Sequence, residues 1–147
     1  MRLINNLKVG CSDMGIETEI LMALRLLLAA ALGAIVGYQR ERANKPAGLR
    51  THTLICVGSA LFTVASIYGF GVAADPSRLA AGIVAGIGFL GAGAIIRTRE
   101  HLVGLTTAAT IWSVAAIGLA AGAGLYILSA ITTAVVLIIL LLPHPIR

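Results

Sequence analysis

Few side chains in this sequence could do chemistry, and their positions say which kinds. Arg25 stands alone inside a long apolar stretch, while Asp75 and Arg78 stand just before another. An ionisable residue set in apolar sequence is a functional candidate, because an unpaired charge is costly at low dielectric. Two uses are open for Arg25: a charge-assisted pair with Asp75, or an apolar stem that carries the guanidinium up to the headgroup level. Hydroxyls recur at helical spacing, with Ser59, Thr63 and Ser66 in one stretch and Thr106, Thr110 and Ser113 in another. Interhelical hydrogen bonds are the ordinary use of such stripes, and a polar permeation path is the sharper one. His52, His101 and His144 are dispersed without metal-ligand spacing, and no serine has a base nearby, so no catalytic set forms. Gly86-Ile87-Gly88-Phe89-Leu90-Gly91 spells GxGxxG. It lacks the preceding strand and the acid about 20 residues on that dinucleotide binding needs. The expectation is a non-enzyme without a cofactor.

The elements that hold these residues follow from composition. Hydrophobic residues make up 59% before the 17 glycines are counted, and only 12% are charged; mean hydropathy is +0.98. A soluble fold of this length would need a polar exterior that the chain cannot supply, so lipid is its expected solvent. Continuous apolar stretches predict helices spanning roughly 20–38, 51–70, 79–96, 103–121 and 125–142. The last two derive from one uncharged run over 102–142, about 60 Å long as a single helix and twice a bilayer core. Gly122-Ala123-Gly124 is the expected turn, and Pro143 and Pro145 the expected stop. β-barrel strands would alternate apolar with polar residues, and these blocks do not. The fold class is therefore an all-α membrane bundle of about five helices: a polar tail over 1–19 and a transmembrane domain over 20–147.

The net charge of +5 is dispersed in short clusters between the apolar blocks rather than gathered in one stripe, which excludes nucleic acid as a partner. Arg40, Arg42, Lys45, Arg50, Arg97, Arg99 and Arg147 fall on one side, and Arg2, Lys8 and Arg78 on the other. The positive-inside rule then puts the amino terminus outside and the carboxyl terminus in the cytoplasm. Cys11 and Cys56 suggest no disulfide framework, and Cys56 reads as a small packing residue. Residues 1–13 read as a dispensable tail ahead of a second start at Met14. Three GxxxG pairs, Gly33/Gly37, Gly82/Gly86 and Gly118/Gly122, predict close approach of helix backbones. A homo-oligomer is left open.

Three segments carry a family resemblance. Gly37-Tyr38-Gln39-Arg40-Glu41-Arg42 followed by Ala47-Gly48-Leu49-Arg50-Thr51-His52 resembles the first-loop motif of the MgtC/SapB family. Gly86-Ile87-Gly88-Phe89-Leu90-Gly91-Ala92-Gly93, with Asp75 and Arg78 upstream, is similar to its third-helix motif. The stretch from Val103-Gly104-Leu105-Thr106-Thr107 through Trp112 is similar to its fourth-helix motif. The resemblance covers about 20–142. It implies a bacterial cytoplasmic-membrane protein acting in adaptation to low magnesium and in survival inside host cells, partly through the membrane part of the rotary ATP synthase. Many members carry a soluble carboxyl-terminal domain; this sequence stops at Arg147, which favours the shorter membrane-only branch. Candidate functional residues are Arg25, Arg40, Glu41, Arg50, Thr51, His52, Asp75, Arg78, Gly88, Gly91, Gly93, Thr106, Thr107 and Trp112. The expected role is a regulator that binds another integral membrane protein; the alternative is a transporter of magnesium or another cation. Magnesium usually needs one or two carboxylates, and Asp75 is the one acid near the outer edge of a span, with none in mid-membrane.

Overall fold

The computed structural model describes residues 15–70, 75–97 and 102–142. Among them are five helices: α1 (Ile16–Arg42), α2 (Leu49–Tyr68), α3 (Pro76–Gly93), α4 (Leu105–Gly122) and α5 (Tyr126–Leu141). Four are long and apolar enough to cross a membrane, and α5 is apolar but has 16 residues. The expectations placed on Cys11, the tail over 1–13, Pro143 and Pro145 lie outside the described residues.

Local sequence sets each helix end. α1 carries Glu17 and Glu19 in its first turn and Arg40 and Arg42 in its last, each opposing the helix dipole. The Glu41 carboxylate reaches forward and accepts the Leu49 N–H at 2.9 Å, satisfying a first-turn donor of α2. Asp75 accepts the Ser77 N–H at 2.9 Å, with Pro76 opening α3, a strong amino-terminal signal. Gly124, at φ +85, makes the α4–α5 turn where the glycine cluster predicts it. The segment between α3 and α4 holds something the sequence does not announce. Two-residue strands β1 (Ile96–Arg97) and β2 (Leu102–Val103) pair antiparallel, Ile96 with Val103 and Arg97 with Leu102. Gly104 follows at φ +97, so close to Ala94 that a Cβ would collide with its carbonyl oxygen.

α2 lies at the centre, packed against α1, α3 and α4. Ala29, Leu32 and Val36 of α1, Cys56 and Ala60 of α2, and Val114, Ile117 and Ala121 of α4 form the main buried cluster. Two glycine pairs act as predicted. A Cβ at Gly33 would stand 2.6 Å from Cys56 Cβ, and one at Gly37 2.7 Å from Leu49 Cα. A Cβ at Gly118 would strike the carbonyl oxygen of the same Cys56, and one at Gly122 would stand 2.6 Å from that of Ala60. The third pair departs from expectation: nothing lies within 4 Å of a Cβ at Gly82 or Gly86.

The outside is apolar. Phe89 is 81% exposed, Ile127 78% and Leu54 73%. Large side chains left bare on every helix make sense only with lipid around them, so the chain is a multi-pass membrane protein. Three of the six hydroxyls in the two stripes bond within their own helix. Thr63 donates to the Ser59 carbonyl, Thr110 to that of Thr106 and Ser113 to that of Ala109, each within its own helix. Ser66 is the exception, donating to the Pro76 carbonyl on α3 at 3.1 Å.

These contacts separate the glycines by consequence. Gly118→Ala should destabilise the protein by roughly 1–3 kcal/mol through overpacking against the α2 backbone. Gly82→Ala and Gly86→Ala should be neutral or stabilise by up to about 1 kcal/mol, since they add helix propensity in open space. Thermal unfolding in detergent reads both; equal loss in all three variants would contradict this packing.

Candidate functional site

The candidate residues gather at two opposite rims of the bundle, not in one pocket. At the first rim, α1 and α2 meet with the start of α4. Arg40 is 4% exposed, and its Nη2 donates to Thr107 Oγ1 at 2.6 Å. His52 is fully buried, with Nδ1 3.0 Å from the Gly48 carbonyl oxygen. A carbonyl can only accept, so Nδ1 carries the proton and Nε2 presents a lone pair unless the ring is charged. Gln39 Oε1, Arg40 Nε and His52 Nε2 are sealed from solvent with no hydrogen-bond partner among the described residues. Orphan polar atoms cost about 1–3 kcal/mol each, so this rim is energetically expensive.

Other motif residues have plainer places. Glu41 is exposed and caps α2. Arg50, Thr51, Thr106 and Trp112 lie on the exposed surface. Gly91 touches Ala108 of α4 at ordinary contact distance, 3.7 Å from a built Cβ, whereas Gly88 and Gly93 face open space.

At the opposite rim the expected pair between Arg25 and Asp75 is not made. Arg25, 9% exposed, donates from Nε to Tyr126 Oη at 3.1 Å and from Nη1 to the Gly122 carbonyl at 2.9 Å. Its guanidinium carbon lies 5.6 Å from the Tyr68 ring centroid and 6.0 Å from that of Tyr126, within cation–π range. The α4 carboxyl end, the partially negative pole of a helix, supplies the carbonyl. Asp75 and Arg78 are exposed at the start of α3. The Ser77 hydroxyl and N–H hold the Asp75 carboxyl below its ordinary value. Its contribution to α3 is therefore present at neutral pH and fades as pH falls through that lowered value.

The partners of Arg25 come from Tyr68 and Tyr126, which no motif marked, and from Gly122, which was marked only as a packing and turn glycine. Tyr68 closes α2 and Tyr126 opens α5. Tyrosines at the ends of apolar spans favour the membrane interface, and that was the available signal.

A double-mutant cycle distinguishes the two networks. Tyr126→Phe should cost roughly 1–3 kcal/mol, and its coupling to Arg25→Leu should reach about 0.5 kcal/mol or more. Arg25→Leu with Asp75→Asn should be additive, because the two residues share no partner and asparagine caps as well as aspartate. Strong coupling to Asp75 in melting temperature would reinstate the ion pair.

Comparison with known proteins places these rims in a family. The MgtC family model matches residues 26–147. The chain is 47% identical over 128 residues to "Putative magnesium transporter YhiD" of Escherichia coli K12, covering 82% of this chain and 60% of that protein. It is 43% identical over 119 residues to "Protein SapB" of Bacillus subtilis 168, covering 76% and 50% respectively. To "Protein MgtC" of Brucella abortus 2308 it is 44% identical over 117 residues, covering 80% and 49%. The chain thus spans only half to three-fifths of the length of these curated relatives. No solved structure matches it. With the family match extending from the residue after Arg25 through every described helix that follows, the chain belongs to the MgtC family.

Proposed function

We propose that this chain is a non-enzymatic regulator in the bacterial cytoplasmic membrane, with the Arg25 rim outside and the Arg40 rim in the cytoplasm. It supports adaptation to low magnesium or intracellular survival by binding another integral membrane protein, with the membrane part of the rotary ATP synthase as the leading partner. The observation that carries the reading is the unused face of α3. Gly82 and Gly86, with Gly58 of α2, line an apolar groove of about 510 Å³ bounded by Leu54, Phe62, Leu79 and Leu90. A glycine-floored groove facing lipid suits an incoming helix, because close backbone approach drives association where the hydrophobic effect cannot. The seven-to-three distribution of basic residues supports the orientation.

The second reading, a magnesium transporter, rests on the name of the Escherichia coli relative. Asp75, the carboxylate at the start of α3 on that rim, is already engaged as a helix cap. Among the described residues no group of three His, Cys, Asp or Glu could hold a metal.

Three experiments test the proposal. Reporter fusions in 39–50 should read cytoplasmic and fusions in 71–75 external; the reverse pattern removes the orientation. Capture in mild detergent should retain ATP-synthase membrane subunits with the wild type and lose them with Gly82→Leu or Gly86→Leu, which leave the fold intact. The same preparation in liposomes should give no magnesium flux above empty vesicles. A saturable flux lost with Asp75→Asn would establish the transporter instead.

A further inference from the structure

The Arg25 guanidinium has five N–H donors, and the bundle uses one at Nε and one at Nη1. Every partner among the described residues is neutral: a phenol, a backbone carbonyl and two aromatic rings. The side chain is thus oriented by the ends of three helices, with no anionic partner among the described residues. A charge this deeply placed at a membrane rim calls for a counter-charge. Nη2 has no protein hydrogen-bond partner among the described residues, and it is absent from the sealed orphan atoms. It lies against Gly124, where a built Cβ would come within 3.1 Å. The left-handed glycine at φ +85 therefore keeps that edge of the guanidinium clear. Tyr126 Oη accepts from Nε and retains its own O–H for donation.

We propose that the Nη2 edge of Arg25 and the Tyr126 hydroxyl bind a phosphate oxyanion, supplied by the phosphodiester headgroup of a membrane lipid. The guanidinium donates to phosphate oxygens in the charge-assisted geometry that such groups favour. The level of the site selects the lipid source. Tyr68 ends α2, Gly122 ends α4 and Tyr126 begins α5, so the guanidinium sits where three spans terminate, the depth at which interfacial tyrosines meet headgroups. The site is separate from the α3 groove, so its occupancy does not depend on which protein docks there.

The test uses the full chain, stripped of lipid in detergent and titrated with phosphatidylglycerol, with diacylglycerol of the same chains, and with inorganic phosphate. Native mass spectrometry counts bound lipid, and melting temperature reports protection. Phosphatidylglycerol should be retained and should raise the melting temperature, whereas diacylglycerol should not. Arg25→Gln should weaken phosphatidylglycerol binding about tenfold, the loss of one charge-assisted contact. Tyr126→Phe keeps the ring over the guanidinium and should weaken binding several-fold, so it carries the test should Arg25→Gln fail to fold. Unchanged affinity in Tyr126→Phe and any folded Arg25→Gln, or equal protection by diacylglycerol, overturns the proposal. Protection by inorganic phosphate that phosphatidylglycerol does not exceed overturns the lipid assignment and leaves a soluble anion as the ligand.

Discussion

The bundle depends on how closely α1 and α4 approach α2. Gly33 and Gly37 bring α1 against it, and Gly118 and Gly122 bring α4 against the same stretch around Cys56, each to distances that a methyl group would obstruct. In lipid the burial of apolar side chains contributes little, so van der Waals contact between backbones has to hold helices together. Once α1 and α4 are fixed against α2, Arg40 falls beside Thr107 at one end and Arg25 beside Gly122 at the other. Both buried arginines are consequences of that one contact surface.

The two arginines solve the same electrostatic problem differently. Arg25 is held by a helix carboxyl end and two tyrosines, groups whose partial charges face a cation favourably. Among the described residues Arg40 has one short hydrogen bond, and neither its Nε nor His52 Nε2 has a partner. Polar groups left unsatisfied in a buried place are costly to keep, and such strain concentrates at sites whose role is something other than stability. The helix-capping Glu41, by contrast, shows that part of the first-loop motif serves folding: its carboxylate starts α2.

α3 differs from the other helices. Ile83, Ile87 and Gly91 are its buried residues, and the rest of its surface faces outward. Gly82 and Gly86 are spaced for helix contact like the others, yet a Cβ on either would meet nothing within 4 Å among the described residues. The same sequence pattern thus yields two internal seams and one open groove.

Sequence alone determined the membrane class, the helix count and the turn at Gly122-Ala123-Gly124. Hydropathy, span length and glycine punctuation are local properties that the bilayer reads directly. It also singled out Arg25 as a charge in apolar surroundings, while the family resemblance marked Arg40 and His52. Which residues would answer them was a tertiary matter. Nothing in the spacing of Arg25 and Asp75 distinguished that pair from Arg25 and Tyr126, 101 positions apart. The outcome turned on α4 and α5 closing beside α1 while Asp75 stayed at the exposed start of α3. Likewise, GxxxG names a surface able to make close contact, but only the relative positions of the helices decide whether a neighbour arrives. Three hydroxyls of the stripes turned back to their own helices for a related reason: a carbonyl one turn away is always within reach, whereas a partner helix must be brought there.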